Sequence, residues 1–146
     1  MKLMECSVCG HIEFNAAPDK CLVCRSAAGT YSENDEAVKN PADPANLTDG
    51  DKKHIPQITV VKQCGLIPDT CTDVHVKVGE INHVMTPEHF IQYIDAYVDY
   101  KFMSRIWLAP GLCHPAVGFH VNAKSGKFTT IESCNVHGKW MAETDL

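Results

Sequence analysis

The sequence predicts a mainly β protein in which an antiparallel sandwich or barrel follows a small metal-stapled domain. Three observations carry that reading. Short runs of β-branched and aromatic residues recur along the chain, at Ile58–Val61, Val74–Val78, Ser104–Leu108, Gly118–Val121 and Lys127–Ile131, and such runs suit a half-buried pleated surface. Turn residues separate them at Gly65, Pro68, Gly79, Pro110–Gly111 and Ser125–Gly126, as in antiparallel sheets. Four of the eight cysteines fall within the first 24 residues, where there is too little apolar sequence to make a core without a metal or cross-links.

Residues 1–33 form the expected N-terminal metal domain. Cys6-Ser7-Val8-Cys9-Gly10 and Cys21-Leu22-Val23-Cys24 are two knuckles separated by eleven residues. A Cys-x-x-Cys turn brings two thiolates to one metal, and two such turns close a tetrahedron. Gly10 suits the sharp exit from the first turn, where positive φ is often needed. Tetrahedral sulfur accepts either iron or zinc. From Met4 to Glu33 the segment resembles the short rubredoxin-like domain at the end of rubrerythrins, which implies a one-electron iron centre; Leu22 and Arg25 stand where typical rubredoxins carry proline and glycine. The plain alternative is a structural zinc ribbon.

The start of the chain has no apolar run that could serve as a signal peptide, and no stretch approaches the length of a membrane span. The expectation is a soluble cytoplasmic protein, in which paired cysteines are metal ligands rather than disulfides. Cys64, Cys71 and Cys113 are expected to be buried small hydrophobes or incidental thiols. A net charge of -5 excludes the basic surface of a nucleic-acid binder.

Residues 34–52 read as an acidic linker, rich in Asp, Asn and Pro and almost free of large apolar side chains. Some twenty residues reach about 60–70 Å when stretched, which leaves the distance between the two metal-bearing parts open. Residues 53–146 form the second domain. Within it Thr86-Pro87-Glu88 looks like a helix start, yet Phe90, Ile94, Ala96 and Val98 also fit period two, as do His89, Ile91 and Tyr93 on the opposite face.

Three local patterns stand out there: Lys53-His54-Ile55-Pro56, His83-Val84-Met85-Thr86-Pro87-Glu88-His89, and Cys134-Asn135-Val136-His137-Gly138. Cys134 and His137, three apart in a turn that ends in glycine, can face one metal, and His83 and His89 could add two imidazoles from one loop. In order and character, these patterns resemble the superoxide reductases, that is, neelaredoxin and the iron domain of desulfoferrodoxin. The matching stretch runs from Lys53 to Trp140 and includes Val78-Gly79 before the His83 loop and Trp140 after the last turn.

The resemblance implies an immunoglobulin-like antiparallel β-sandwich, with a turn and then a strand across Thr86 to Asp99. It makes His54, His83, His89 and His137 four imidazole ligands of a catalytic non-haem iron and Cys134 its thiolate ligand. His11, His75, His114 and His120 match no ligand position and are expected on the surface or on strand faces. The implied activity is reduction of superoxide to hydrogen peroxide with electrons from a rubredoxin-type donor, in a homo-oligomer. Lys53 matches a family lysine that faces the substrate anion. Lys52 stands where the family has a glutamate that closes the oxidised site, and Val84 replaces a proline. Two other readings share the residues: an iron electron-transfer or redox-sensing protein without fast superoxide turnover, and a zinc-ribbon module that binds a protein partner.

Overall fold

The computed structural model describes residues 1–146. Strands β1 (Leu3–Cys6), β2 (Ile12–Phe14) and β3 (Tyr31–Glu33) make a small antiparallel sheet in the order β2-β1-β3. A two-residue strand, β4 (Val38–Lys39), and one helix, α1 (Asp49–His54), follow. The rest is strand: β5 (Pro56–Val61), β6 (Cys71–Val78), β7 (Ile91–Val98), β8 (Lys101–Trp107), β9 (Ala116–Asn122), β10 (Lys127–Cys134) and β11 (Gly138–Asp145). These form a five-stranded sheet, β4-β11-β10-β7-β8, and a three-stranded sheet, β5-β6-β9. Apart from the parallel β4–β11 pair, all pairings are antiparallel.

The two sheets close on a core of Val74, Val76 and Val78 from β6, Phe119 and Val121 from β9, and Ile91, Ile94, Ala96, Phe128 and Cys134 from the facing sheet. Along β6 the alternation is plain: the three valines are buried while His75 and Lys77 are exposed, the period-two signature of a sheet with one wet face. The expected strands are all present, and the Thr86–Asp99 segment is a turn followed by β7. The β7–β8 hairpin turns on Asp99 and Tyr100, at φ 48 and 61, the backbone sense that matches strand twist.

Strands β7 and β10 are buried on both faces, which explains why the β7 sequence carries apolar residues at both parities. Their second face is covered by the N-terminal unit. Ile12 and Phe14 of β2 join Val38, Tyr97 and Ile131 in a second apolar cluster. Polar contacts fix the docking: Tyr97 donates to the Ile12 carbonyl at 2.8 Å and Tyr93 to that of Gly10 at 3.2 Å. Arg105 makes a two-pronged pair with Asp95 at 2.6 and 2.7 Å and donates its remaining nitrogen to the Cys9 carbonyl at 2.9 Å. His11 is fully buried between Asp95 and Glu13, at 3.2 and 3.0 Å, which corrects the expectation of a surface histidine. The span that the linker leaves open in sequence is therefore short in space, and the stretch read as linker contributes β4, paired to β11, and most of α1.

Candidate metal centre

Each ligand candidate is placed by a local device. Thr48 and Asp51 form a reciprocal cap: the Asp51 N–H donates to Thr48 Oγ1 at 3.1 Å and the Thr48 N–H to Asp51 Oδ2 at 2.8 Å. This cap starts α1, and Pro56 two residues past its end prevents continuation. His54, the last helical residue, is 4% exposed. Its Nδ1 lies 2.7 Å from the Gly50 carbonyl, which can only accept, so Nδ1 carries the proton and Nε2 keeps its lone pair for a metal.

The turn after β6 brings in His83. Gly79 sits at φ +84, and a Cβ there would lie 2.6 Å from the Lys53 carbonyl oxygen and 2.8 Å from that of Lys52. Only glycine permits that approach. The Ile81 N–H then donates to the Lys52 carbonyl at 3.1 Å, and His83 arrives with Nε2 3.2 Å from Nε2 of His54. Its Nδ1 is 2.7 Å from the Val84 carbonyl, the same tautomer-fixing device. Burial, the largest effect, holds His83 down at about 4, so the imidazole is neutral and competent as a ligand.

His89 and His137 are tied together by Asn135. Its side-chain oxygen accepts from the Phe90 N–H at 2.8 Å, its amide donates to the Glu88 carbonyl at 3.0 Å, and its own N–H donates to the Phe90 carbonyl at 3.1 Å. The Cys134–Gly138 turn is thus pinned to the His89 loop, and His137 Nδ1 lies 3.2 Å from His89 Nε2.

The four imidazoles form a square. Neighbouring ring centroids are 4.8 Å apart for His54–His83, 4.6 Å for His83–His89, 4.9 Å for His89–His137 and 4.9 Å for His137–His54, with interplanar angles of 69–82°. The His54–His89 diagonal is longer, at 6.4 Å. Ligand atoms of His54, His89, His137 and Cys134 all lie within 4.8 Å of one another, while His83 occupies the fourth corner through His54 and His89. Cys134 is 3% exposed, in the sandwich core. Its sulfur accepts the His137 N–H at 3.4 Å. Burial pushes its thiol up, so a cation is needed to hold it as thiolate. Glu132, two residues earlier on β10, is fully buried with both oxygens unpartnered, and burial raises it well above the carboxylate range. It is a neutral acid beside the centre, unnoticed in the sequence.

A cavity of about 400 Å³ opens over the square, lined by all four imidazoles but not by Cys134. Lys53 lines it, and so does Lys39, which sequence reasoning missed because it lies in the stretch read as linker. Lys52 does not line it. Trp140 stacks on His54, with centroids 5.4 Å apart and planes at 19°.

The four N-terminal cysteines also converge. Their sulfurs lie within 4.8 Å of one another, with Cys6–Cys24 at 3.8 Å and Cys9–Cys21 at 3.6 Å, as a tetrahedral metal requires. Gly10 has φ 70, and Arg25, where rubredoxins carry glycine, takes the same left-handed sense at φ 66. Burial would raise the Cys6 thiol, but hydrogen bonds from Ser26 and the Cys9 and Val8 N–H groups outweigh it and hold it at about 6. His75 and His114 are exposed and join no cluster, and Cys113 donates to the Ala109 carbonyl.

Donor chemistry tests the fit of a metal at the square. Four imidazoles and one cysteine sulfur form a borderline-to-soft set, suited to a redox-active first-row ion rather than to magnesium or calcium. Comparison with known proteins gives the family. The Desulfoferrodoxin family model matches residues 46–143. A desulfoferrodoxin of Desulfarculus baarsii is 30% identical over 146 residues, covering 98% of this chain and 96% of that protein. A superoxide reductase of Pyrococcus abyssi is 34% identical over 106 residues, 65% of this chain and 88% of the relative. The solved superoxide reductase of Nanoarchaeum equitans superposes with a TM-score of 0.59 at 26% identity, covering 75% of this chain and 99% of that one. With its four-cysteine unit docked on a β-sandwich that carries a four-histidine, one-cysteine cluster, the chain belongs to the desulfoferrodoxin family.

Proposed function

We propose that the chain is a superoxide reductase: an oxidoreductase that converts superoxide to hydrogen peroxide at a non-haem iron held by His54, His83, His89, His137 and Cys134. The observation that carries it is the square of four imidazoles with the buried Cys134 sulfur against it and a cavity lined by two lysines over it. Ferrous iron supplies one electron when bound, and with two protons from solvent superoxide becomes hydrogen peroxide.

The chain's own residues set the conditions. The Gly50 and Val84 carbonyls fix the tautomers of His54 and His83. The buried Cys134 donates electron density, tempered by the His137 N–H. Lys53 and Lys39 present positive charge at the cavity mouth, which raises the local concentration of a small anion. Lys52 fills the position of the closing glutamate without lining the cavity, so the oxidised form stays open to added anions.

The same proposal divides the chain into a metal domain (1–33), a connecting arm (34–52) and the catalytic domain (53–146), with iron at Cys6, Cys9, Cys21 and Cys24. Family resemblance supports a rubredoxin-type donor and a homo-oligomer. No helix is long and apolar enough to cross a membrane; a cytoplasmic setting is part of the same proposal. The test is stoichiometry: reduced, iron-loaded protein given superoxide should yield hydrogen peroxide in step with iron oxidation and evolve no oxygen. Protein-dependent oxygen evolution in step with peroxide would mean dismutation instead, and iron oxidation no faster than in buffer oxygen alone would leave an electron-transfer or sensing role.

A further inference from the structure

A third cluster of ligand-type side chains lies on the outer face of the β5-β6-β9 sheet. Cys64 comes from the β5–β6 connection, Cys71 and Asp73 from β6, and His120 from β9, directly opposite Asp73 in the strand register. Their ligand atoms all lie within 4.8 Å of one another. His120 Nδ1 is 3.2 Å from Cys64 Sγ, 3.6 Å from Cys71 Sγ and 2.9 Å from Asp73 Oδ1, and Cys71 Sγ is 3.7 Å from Asp73 Oδ1.

One ring nitrogen carries at most one proton, so it cannot hydrogen-bond to all three partners. A cation among them satisfies all three at once. A tetrahedron with metal–sulfur bonds of about 2.3 Å and metal–nitrogen or metal–oxygen bonds of about 2.0–2.1 Å has edges of about 3.3–3.8 Å; the 3.6 and 3.7 Å separations fall in that range and the 3.2 Å one lies just short of it. The shortest, between His120 and Asp73, has only to open slightly.

The surroundings are also those of a metal-bound thiolate. The Leu66 and Ile67 N–H groups donate to Cys64 Sγ at 3.4 and 3.3 Å, the contact that His137 makes to Cys134 in the catalytic cluster. Lys124 donates to the carbonyls of Lys62 and Cys71, so the two ends of the connection are held together whether or not a metal is present. Two thiolates and a carboxylate can share this space only with a cation among them.

We propose that Cys64, Cys71, Asp73 and His120 form a third metal site, for a borderline-soft divalent cation of which zinc is the best match. Two sulfurs, one imidazole and one carboxylate make a closed tetrahedral set with no position left for substrate. The site is structural: it fastens the residue 62–70 connection across β6 to β9, and binding releases the thiol protons. It needs neither the catalytic iron nor the N-terminal metal, and stands whether or not the chain reduces superoxide.

The experiment is metal analysis of full-length protein purified under argon from zinc-supplemented medium, with site-resolved thiol alkylation read by mass spectrometry. Cys64→Ser/Cys71→Ser should lose one zinc ion per chain and leave the iron content unchanged. In the wild type, Cys64 and Cys71 should resist alkylation while Cys113 reacts, and a chelator should expose them. His120→Ala should lose the same ion, while His75→Ala, exposed on the same sheet, should not. Free alkylation of Cys64 and Cys71 in zinc-loaded wild type, a Cys64–Cys71 disulfide in protein kept under argon, or equal zinc in wild type and the double variant would overturn the proposal. If the serine variant misfolds, the alkylation pattern of the wild type decides alone.

Discussion

Asp95→Asn tests how the N-terminal unit is held. Asp95 is 1% exposed, the Arg105 side chain is 2% exposed, and the two meet at 2.6 and 2.7 Å. The asparagine keeps the volume but removes the charge, which leaves a guanidinium buried without its counter-ion; breaking such a pair costs about 3–5 kcal/mol. For a chain of this size roughly 2–4 °C of Tm accompanies each kcal/mol, so the fall should be about 6–20 °C. The control is Asp145→Asn, whose partner Lys127 and own side chain are 38% and 86% exposed; a surface pair of that kind contributes about 0–1 kcal/mol. Thermal unfolding of metal-loaded protein gives both numbers, and a chelator assay adds a local readout, because Arg105 also holds the Cys9 carbonyl. Release of the N-terminal metal should quicken in Asp95→Asn only. Equal, small Tm shifts in the two variants would refute the docking argument.

Other expectations follow from the catalytic cluster. Cys134→Ser should abolish superoxide reduction while the N-terminal metal stays bound, checked by activity and metal content together. His83→Ala, His89→Ala and His137→Ala should each lower iron loading, whereas His114→Ala, exposed and unclustered, should not; an equal loss in all four would show the ligand set to be wrong. Gly79→Ala should displace the His83 turn, because its Cβ would meet the Lys52 and Lys53 carbonyls in a strained φ region; reduced iron affinity with the sandwich still folded is the expected result by metal titration and circular dichroism. Lys53→Ala should slow the bimolecular reaction and flatten its dependence on ionic strength, since screening acts over about 8–10 Å, and Lys52→Ala should do less; stopped-flow rates across a salt series check both.

The legible part of this protein was its short-range chemistry. Cys6 to Cys24 show metal-knuckle spacing, and the β-branched runs and their turns mark most of the sandwich strands. The candidate ligand set could be named because Cys134 and His137 share a turn and His83 and His89 a loop, and because the ordered motifs resemble a known family. The docking of the N-terminal unit was not readable: it depends on Arg105 and Asp95 meeting the Cys9 carbonyl and His11, groups brought together by folding alone. Helix α1 hid inside an acidic stretch, although Thr48-x-x-Asp51 followed by Pro56 is a capping signal that could have revealed it. β11 escaped notice because half of its residues are polar and only Trp140 is buried. In sequence Cys64 and Cys71 look like incidental thiols and His120 like a surface or strand-face histidine, since the cluster's members come from three elements and only the β6–β9 register aligns Asp73 with His120.

The most direct test of the central claim is rapid mixing of superoxide with fully reduced, iron-loaded protein while the thiolate-to-iron absorption, hydrogen peroxide and oxygen are followed together, in wild type and Cys134→Ser. The expected result is a fast, superoxide-dependent rise of the thiolate-to-iron band in wild type, with hydrogen peroxide formed in proportion to iron oxidised and no oxygen released. The band and the fast phase should both be absent from Cys134→Ser. Oxygen release accompanying peroxide, or an unchanged fast phase in Cys134→Ser, would contradict it.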